Sequence, residues 1–196
     1  METSSDTTSR ATATYMSYEE FGRRFFEVAV TEERVGEAIG QIAGDAFEMG
    51  PIAQGPGRLA KVTAKVRITT PRVNRRVAEE ITFAIRIPLE IDMMVDLRID
   101  KPKFMVFGEI SLRAVARAAE PLLLIIDVEK PRANDIAIHV TSKSLRGELV
   151  RIIGGVDAEI RRFIAAHVAG EIDSPESQKA KVIDVAHELD TTWTGI

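Results

Sequence analysis

The chain has 196 residues, of which 45% are hydrophobic and 29% charged, with a formal net charge of -4 and no cysteine. This length predicts a single domain with a substantial core. The absence of cysteine excludes disulfides, thiolate metal sites and thiol catalysis. The acidic charge balance argues against nucleic-acid binding, because the phosphate backbone rewards clustered basic residues.

The N-terminal segment, residues 1–14, contains eight Ser or Thr residues. This composition predicts a disordered tail, and we expect residues 15–196 to form one domain. The segment lacks the basic stretch followed by an apolar run that marks a secretory signal. No stretch approaches the roughly 18 consecutive apolar residues of a transmembrane helix. We therefore expect a cytoplasmic protein with no transmembrane segment.

Two segments precede the first clear strand. The apolar residues of segment 15–30 suit either a short helix or a strand, and the sequence leaves this choice open. Thr31 followed by two glutamates is typical of a helix N-terminus, and helical spacing of apolar residues then predicts a helix over 31–48. The Gly and Pro residues between 49 and 57 predict a loop.

After residue 57 the apolar period changes from 3.6 to 2, which predicts a sheet. Residues 62–69 alternate, with cationic side chains on one face. Every odd position from Ile81 to Ile99 is apolar. This pattern predicts one strand of roughly 60 Å, and a strand of that length must coil or curve. The alternation keeps its phase through Pro88, which we interpret as an edge position or a bulge.

Three further predicted strands follow: a long alternating run over 104–118, a short, almost wholly apolar strand over 122–128 and a last alternating run over 136–140. Their short connections favour antiparallel pairing of sequential strands. From Leu145 the period returns to 3.6, which predicts a long helix to about residue 172. Ser174 followed by Pro175 indicates a new helix N-terminus. The apolar residues beyond it predict a terminal element that packs back on the body.

Motifs for catalysis or cofactor binding are absent from the sequence. It contains no Gly-x-Gly-x-x-Gly, no Walker-type motif, no His-Glu-x-x-His and no Gly-x-Ser-x-Gly. The three histidines, His139, His167 and His187, are far apart in sequence. His167 falls on the apolar face of its helix, which suits a hydrogen-bonded core histidine or a ligand contact. We expect no catalytic residue, no metal site and no cofactor.

The two long strands carry more apolar surface than the C-terminal helix can cover. A helix of about 25 residues reaches roughly 38 Å, against roughly 60 Å for the strand. The candidates for covering the remainder are the N-terminal helix, a second subunit and a bound apolar ligand. The small residues Gly108, Ala114 and Ala116 would leave room for a groove. Closure of the core by the chain's own helices is the competing interpretation.

The alternating runs over 58–70, 81–99 and 104–118, with the helix over 145–172, resemble the tubular lipid-binding superfamily. This group includes the bactericidal permeability-increasing proteins and the synaptotagmin-like mitochondrial lipid-binding domains. The resemblance covers about half of the chain. It implies an α+β fold in which a long, highly curved antiparallel sheet is wrapped around a long C-terminal helix. It also implies that lipid tails lie in an apolar groove between sheet and helix.

We hypothesise that the chain binds a lipid or other apolar small molecule in this groove and performs no chemistry. The residues predicted to contact the ligand are Phe83, Ile85, Ile87, Phe104, Val106, Ile110, Ile153, Ile160, Ile164 and His167. One alternative is a helix-grip (START-like) ligand-binding protein or enzyme, in which His167 faces a polar cavity. Another is a structural or interaction protein with a closed core, in which a second copy covers the surplus apolar surface as a homodimer.

Overall fold

The computed structural model describes residues 14–43, 46–54, 57, 60–139 and 147–193, with the side chains of 41–43, 54, 147–154 and 193 excepted. The tail predicted for residues 1–14 therefore lies outside the described residues, apart from Thr14. Helix α1 spans Tyr18–Ala29 and resolves the choice left open for residues 15–30. It begins at Ser17, whose hydroxyl accepts a hydrogen bond from the Glu20 N–H (3.1 Å).

Helix α2 (Glu32–Ala43) starts where predicted, since the Thr31 hydroxyl accepts a hydrogen bond from the Arg34 N–H (3.3 Å). Strand β1 (Phe47–Gln54) follows, so the helix predicted to reach residue 48 is too long and the loop predicted from residue 49 is wrong up to residue 54. Its pairing with the next strand is irregular between Met49 and Ile52. Gly50 allows this irregularity, because it has a φ of +103° and a Cβ there would lie 2.5 Å from the Val62 carbonyl oxygen.

The remaining strands form one antiparallel sheet with β1. They are β2 (Ala60–Ile68), β3 (Arg72–Val77), β4 (Ile81–Asp96), β5 (Lys103–Ala119), β6 (Leu123–Val128), β7 (Ile136–His139) and β8 (Val182–Asp184). The strand order is β1-β2-β4-β5-β6-β8, with β3 also beside β4 and β7 also beside β5. The predicted alternation is confirmed, since every odd residue of β4 is buried.

Strand β4 is shorter than predicted and ends at Asp96. The Leu97 N–H donates to the Asp100 carbonyl (2.9 Å), and the Arg98 N–H donates to the Asp96 carboxylate (2.9 Å). Arg98 has a positive φ of 69°. This local turn reverses the chain towards β5, so Ile99, predicted to face inward, is fully exposed.

Pro88 lies inside the sheet, opposite Glu109 of β5, and not at an outer edge as one of our interpretations had it. On the other side of β4, its neighbour changes at this point from β2 to β3. The Pro88 carbonyl accepts hydrogen bonds from the N–H (3.0 Å) and the hydroxyl (3.1 Å) of Thr69, in the β2–β3 turn. In an antiparallel strand the N–H and the carbonyl of one residue point to the same side, so the N–H that proline lacks would also face the β2–β3 turn. The hydrogen bonds between β4 and β5 are therefore unaffected by Pro88.

The C-terminal part contains helices α3 (Gly147–Asp173), α4 (Pro175–Ala180) and α5 (Val185–Trp193). Ser174 caps α4 with Pro175 at its start, as predicted. The main described contacts of α3 are with β1, β7, the 3-10 turn Ala133–Asp135, α2 and α4. They do not show the sheet encircling this helix, so the predicted wrapping stays a prediction.

One apolar core lies between the inner face of the sheet and helices α2 and α3. The helices contribute buried residues at helical spacing, including Val35 and Ile39 from α2 and Val156, Ile160 and Ile164 from α3. The chain is therefore an α+β protein with a strongly curled antiparallel sheet whose inner face is apolar.

Candidate functional site

Most residues predicted to contact a ligand lie deep in the core. Seven of them are 1% exposed or less and belong to a single cluster of buried side chains. They are Phe83, Ile85, Ile87, Val106, Ile110, Ile160 and Ile164. The structure therefore brings these side chains together in one buried cluster, and their contact with a ligand stays a prediction.

The small residues expected to leave space for a groove have a different effect. A Cβ at Gly108 would lie 2.8 Å from the carbonyl oxygen of Ala137 in β7. Because Gly108 has no side chain, β7 can lie close to β5 and pair with it at this position. Ala114 and Ala116 pair with Val128 and Ile126 of β6 and are buried in the core.

The other predicted contact residues lie elsewhere. Phe104 is partly buried and borders a surface depression over β1, β2, β4 and β5. The side chain of Ile153 lies outside the described residues. The imidazole of His167 is half-buried and packs on the ring of Phe47, with 3.9 Å between the ring centroids. Its surroundings on this side are aromatic and not the polar cavity of the helix-grip alternative.

Aromatic rings join α3 to β1, the strand at one end of the sheet order. Phe47 contacts both His167 and Phe163, whose ring centroid is 6.0 Å away. Phe163 remains 41% exposed, so this contact lies at the protein surface. We call these three residues the ring seam. Stacked and tilted rings stabilise such contacts by only about 0.5–1.5 kcal/mol per pair beyond their buried area.

One cavity lies where the inner face of the sheet reaches the surface beside α2. This depression, called the α2 depression below, has a volume of about 640 Å³. Its apolar floor includes Ile68 of β2 and Val73 of β3, which are partly buried and packed against the core. Gly36 and Gly40 line it from α2, and the turn 69–71 closes the opposite side.

The two glycines create the space in the α2 depression. A Cβ at Gly40 would meet nothing within 4 Å, and a Cβ at Gly36 would only touch the Val73 side chain at 3.6 Å. Glycine inside a helix costs about 1 kcal/mol relative to alanine, so both positions lower the helix propensity of α2. Because both glycines line the depression, larger side chains at these positions would reduce its volume.

Three glutamates of α2, Glu32, Glu33 and Glu37, line the same depression. One of them also fixes the geometry, because the Glu32 carboxylate accepts a hydrogen bond from the Arg75 N–H of β3 (2.6 Å). Hydrogen bonds from its own N–H and from the Thr31 hydroxyl hold the pKa of the Glu33 carboxyl below its usual range. The rim of the depression is therefore acidic at neutral pH.

The junction between α1 and α2 is held by guanidinium groups. Arg75 donates from Nη1 to the carbonyl oxygens of Glu27 and Val30, both at 2.7 Å. Arg34 donates to the carbonyl of Ala29 (2.8 Å). These bonds satisfy the last carbonyls of α1 and place positive charge at the negative end of the helix. They fix α1 and α2 against the edge strand β3.

The depression bordered by Phe104 has a volume of about 780 Å³, and its lining is mixed. Lys65 forms a salt bridge with Glu48 (3.7 Å). Asp92, which lies opposite Lys65, forms a salt bridge with Arg67 (3.3 Å). Exposed ion pairs of this kind contribute little free energy, and here they form a solvated charge ladder on the outer face of the sheet.

The described part of the chain contains no cluster of three or more His, Asp or Glu residues suited to a metal ion. His139 is exposed on β7 and His187 is exposed on α5. The backbone N–H of His187 donates a hydrogen bond to the Asp184 carboxylate (3.0 Å). None of the described helices has the length and apolar character needed to cross a bilayer.

Lys181 is a buried cation that was not predicted from the sequence. It is 8% exposed, and its Nζ donates to the carbonyl of Ile172 at the end of α3 (3.0 Å). Burial lowers the pKa of its ammonium group below the usual value of 10.5, although Asp173 and Asp127 act in the opposite direction. Its bond to Ile172 satisfies a helix end, which indicates a structural role.

The α2 depression was not predicted from the sequence, although the sequence contains one signal for it. Gly36 and Gly40 are four residues apart and so share a helix face. The opposite wall could not be found, because β3 was not predicted. Its sequence, RVNRRV, contains three arginines, and the apolar alternation is reduced to two valines.

No protein-family model matches the chain, and no curated protein matches it either. Among solved structures, the chain is similar to one described as "Crystal structure of lipopolysaccharide binding protein". The TM-score is 0.39 at 11% sequence identity, and the match covers 82% of this chain and 37% of that one. The chain thus spans little more than a third of the length of that protein.

Proposed function

We propose that the chain binds a lipid or similar apolar molecule and performs no chemistry on it. The observation that carries this proposal is the α2 depression, where the apolar inner face of the sheet meets a cavity of about 640 Å³. Ligand sites typically have volumes of about 300–1,000 Å³ and predominantly apolar walls. The core next to it offers only apolar side chains, which suits a hydrocarbon chain.

The chemistry of the rim favours a particular head group. Glu32, Glu33 and Glu37 surround the opening and none of them is buried. Negative charge at the opening repels carboxylate and phosphate groups and attracts ammonium groups. The proposed ligand is therefore a neutral or cationic amphiphile, whose head group stays at the rim while its apolar part contacts Ile68 and Val73.

A longer ligand would need more space than the α2 depression has. The proposed route to this space is the ring seam, since Phe47, Phe163 and His167 lie at the surface between α3 and β1. Separation of α3 from β1 would open the inner face of the sheet. This arrangement would correspond to the sheet-and-helix groove of the tubular lipid-binding superfamily, which the strand pattern resembles.

A glycine substitution tests the proposal without damaging the core. Gly40→Leu places a side chain in the depression and adds helix propensity, and its Cβ would meet no atom within 4 Å. Binding of a fluorescent phosphatidylcholine is expected to weaken about tenfold or more, which corresponds to about 1.4 kcal/mol. Gly170→Leu in α3 is the matched control, since it is also a helix glycine in open space.

Two results would overturn the proposal. One is the absence of any bound lipid, both in native mass spectrometry of the purified protein and after incubation with the fluorescent probe. The other is equal binding by Gly40→Leu and Gly170→Leu. A comparison of dodecylamine with dodecanoate tests the head-group preference separately, because the acidic rim predicts tighter binding of the amine.

A further inference from the structure

Helix α1 carries an apolar face that the described part of the chain leaves largely uncovered. Tyr18, Phe21, Gly22 and Phe25 are spaced at i, i+3, i+4 and i+7 and so share one side of the helix. Tyr18 is 97% exposed and Phe21 is 60% exposed, and Tyr15, just before the helix, is 95% exposed. Contiguous exposed aromatic residues of this kind mark interaction surfaces.

The opposite side of α1 is charged and internally satisfied. Glu20 pairs with Arg23 (2.7 Å) and with Arg24 (2.6 Å), and Arg23 also pairs with Glu27. The hydrogen bonds from Arg23 and Arg24 lower the pKa of the Glu20 carboxyl to about 2. This side needs no partner, so the helix has one side adapted to water and one adapted to an apolar surface.

Only one end of α1 is packed on the body among the described residues. The C-terminal half of α1 is already in place, since Phe25 and Phe26 pack against the core and Arg75 and Arg34 hold the last carbonyls. In the first half, Tyr18 and Phe21 of the same face remain exposed. A partner for Tyr18 and Phe21 would therefore meet a helix whose C-terminal end is held on the body.

The area of this face suits a second copy of the chain. A buried aromatic side chain removes roughly 150–250 Å² from water. At the exposed fractions of Tyr15, Tyr18 and Phe21, this gives about 380–630 Å² per copy. Met16 and Val28, which are 48% and 73% exposed, bring the area towards the roughly 800 Å² per partner of a standard interface.

Gly22 adds an independent reason for a helical partner. It lies inside α1, where glycine costs about 1 kcal/mol, and a Cβ there would meet nothing within 4 Å. Nothing within the described chain therefore requires a glycine at this position. In a symmetric crossing of two α1 helices, the missing side chain would let the two backbones approach closely between the flanking aromatic rings.

We propose that the chain forms a homodimer in which the α1 helices of two copies cross near Gly22, with Tyr18 and Phe21 of each copy packed on the other. The proposal does not depend on lipid binding. An anionic membrane fits this face less well, because Glu19, Glu20 and Glu27 outnumber Arg23 and Arg24. The N-terminal segment 1–13 fits less well too, because it contains no aromatic residue and no Val, Leu or Ile.

Sedimentation velocity at protein concentrations up to about 100 µM tests the dimer. The wild-type chain is expected to sediment as a dimer at the highest of these concentrations. A symmetric interface carries each substitution twice, so Tyr18→Ser combined with Phe21→Ser removes four aromatic rings and should raise the dissociation constant about 100-fold or more. Leu189→Ser on α5 is the control, since Leu189 is a similarly exposed apolar residue (51%) on another helix.

A second variant separates association from folding. Gly22→Leu should stabilise the α1 helix of a monomer by about 1 kcal/mol yet block close approach of two helices. A monomer that resists urea at least as well as wild type would support the proposal, with Gly170→Leu as the glycine control. A wild-type chain that stays monomeric at about 100 µM would overturn it. Unchanged dimerisation of Gly22→Leu, or flotation of monomers on phosphatidylcholine vesicles through α1, would overturn it as well.

Discussion

Arg75→Met removes the main electrostatic link between α1 and the sheet. The Arg75 guanidinium donates two hydrogen bonds, at 2.7 Å each, to the carbonyls of Glu27 and Val30. Methionine keeps most of the apolar stem of the side chain and loses only the donors and the charge. The Arg75 N–H keeps its bond to Glu32, so β3 should stay paired with β4.

The expected cost follows from the geometry of these bonds. Hydrogen bonds with one charged partner stabilise proteins by about 1.5–3 kcal/mol each. Here both bonds share one nitrogen and Arg75 is only partly buried, so we expect about 2 kcal/mol for the pair. Arg34 still donates to Ala29, which limits the loss at the helix end. A change of 2 kcal/mol corresponds to a roughly 30-fold increase in local opening.

Hydrogen exchange of the α1 amides, followed by mass spectrometry, measures this opening directly. Arg76→Met is the matched control, because Arg76 is an exposed neighbour on β3 for which no ion pair is found within the described residues. We expect about 30-fold faster exchange in α1 for Arg75→Met and little change for Arg76→Met. Equal α1 exchange rates in the two variants would refute the role of Arg75 as the link to the sheet.

Two further predictions concern α3 and its C-terminal contact. Ile160→Ala should lower the free energy of unfolding, measured in urea, by about 2–5 kcal/mol, because Ile160 is 1% exposed. Phe163→Ala in the half-exposed ring seam should lower it by less. The reverse order would contradict the packing of α3. The pKa of Lys181 is lower in the native state than in the unfolded state, so the native state loses this proton at a lower pH. The contribution of Lys181 to the free energy of unfolding therefore rises with pH, up to about the unfolded-state pKa of 10.5. The stability of the wild-type chain relative to Lys181→Met should therefore increase as the pH approaches 10.5, and a decrease would show that the ammonium is not desolvated.

The long strands could be predicted because the signal for them is local and strong. In β4 every odd residue from Ile81 to Val95 is buried, as the alternation indicates. An error of one residue in register would turn this entire face towards water, so the pattern determines the orientation of the strand. Strand β3 could not be predicted in the same way, because it is short and three of its six residues are arginines.

Other elements depend on contacts that no local pattern reports. Strand β1 contains the Gly50–Pro51 pair, which locally indicates a loop, but pairing with β2 on both sides of the irregularity overrides this preference. Pro88 fits inside the sheet only because its neighbouring strand changes from β2 to β3 at that point. Both features arise from the arrangement of distant segments.

The candidate site shows the same division between local and distant information. The hydrophobic residues predicted to contact a ligand do form one group, since periodicity reports which face is apolar. Whether such a face lines a groove or packs against helices depends on what covers it. The structure covers most of it with α2 and α3, and one depression beside it is lined by Gly36, Gly40, Ile68 and Val73.

The sequence alone determined that this is an α+β chain with long, alternating antiparallel strands, a curved sheet and a C-terminal helix, because each of these rests on periodicity within one segment. Tertiary structure decided that the apolar face is largely closed, that β3 and β1 complete the sheet, and that α1 keeps its aromatic side uncovered. These outcomes depend on which segments, distant in sequence, pack against one another. Contact between distant segments is a property of the packed molecule and leaves no period in the sequence.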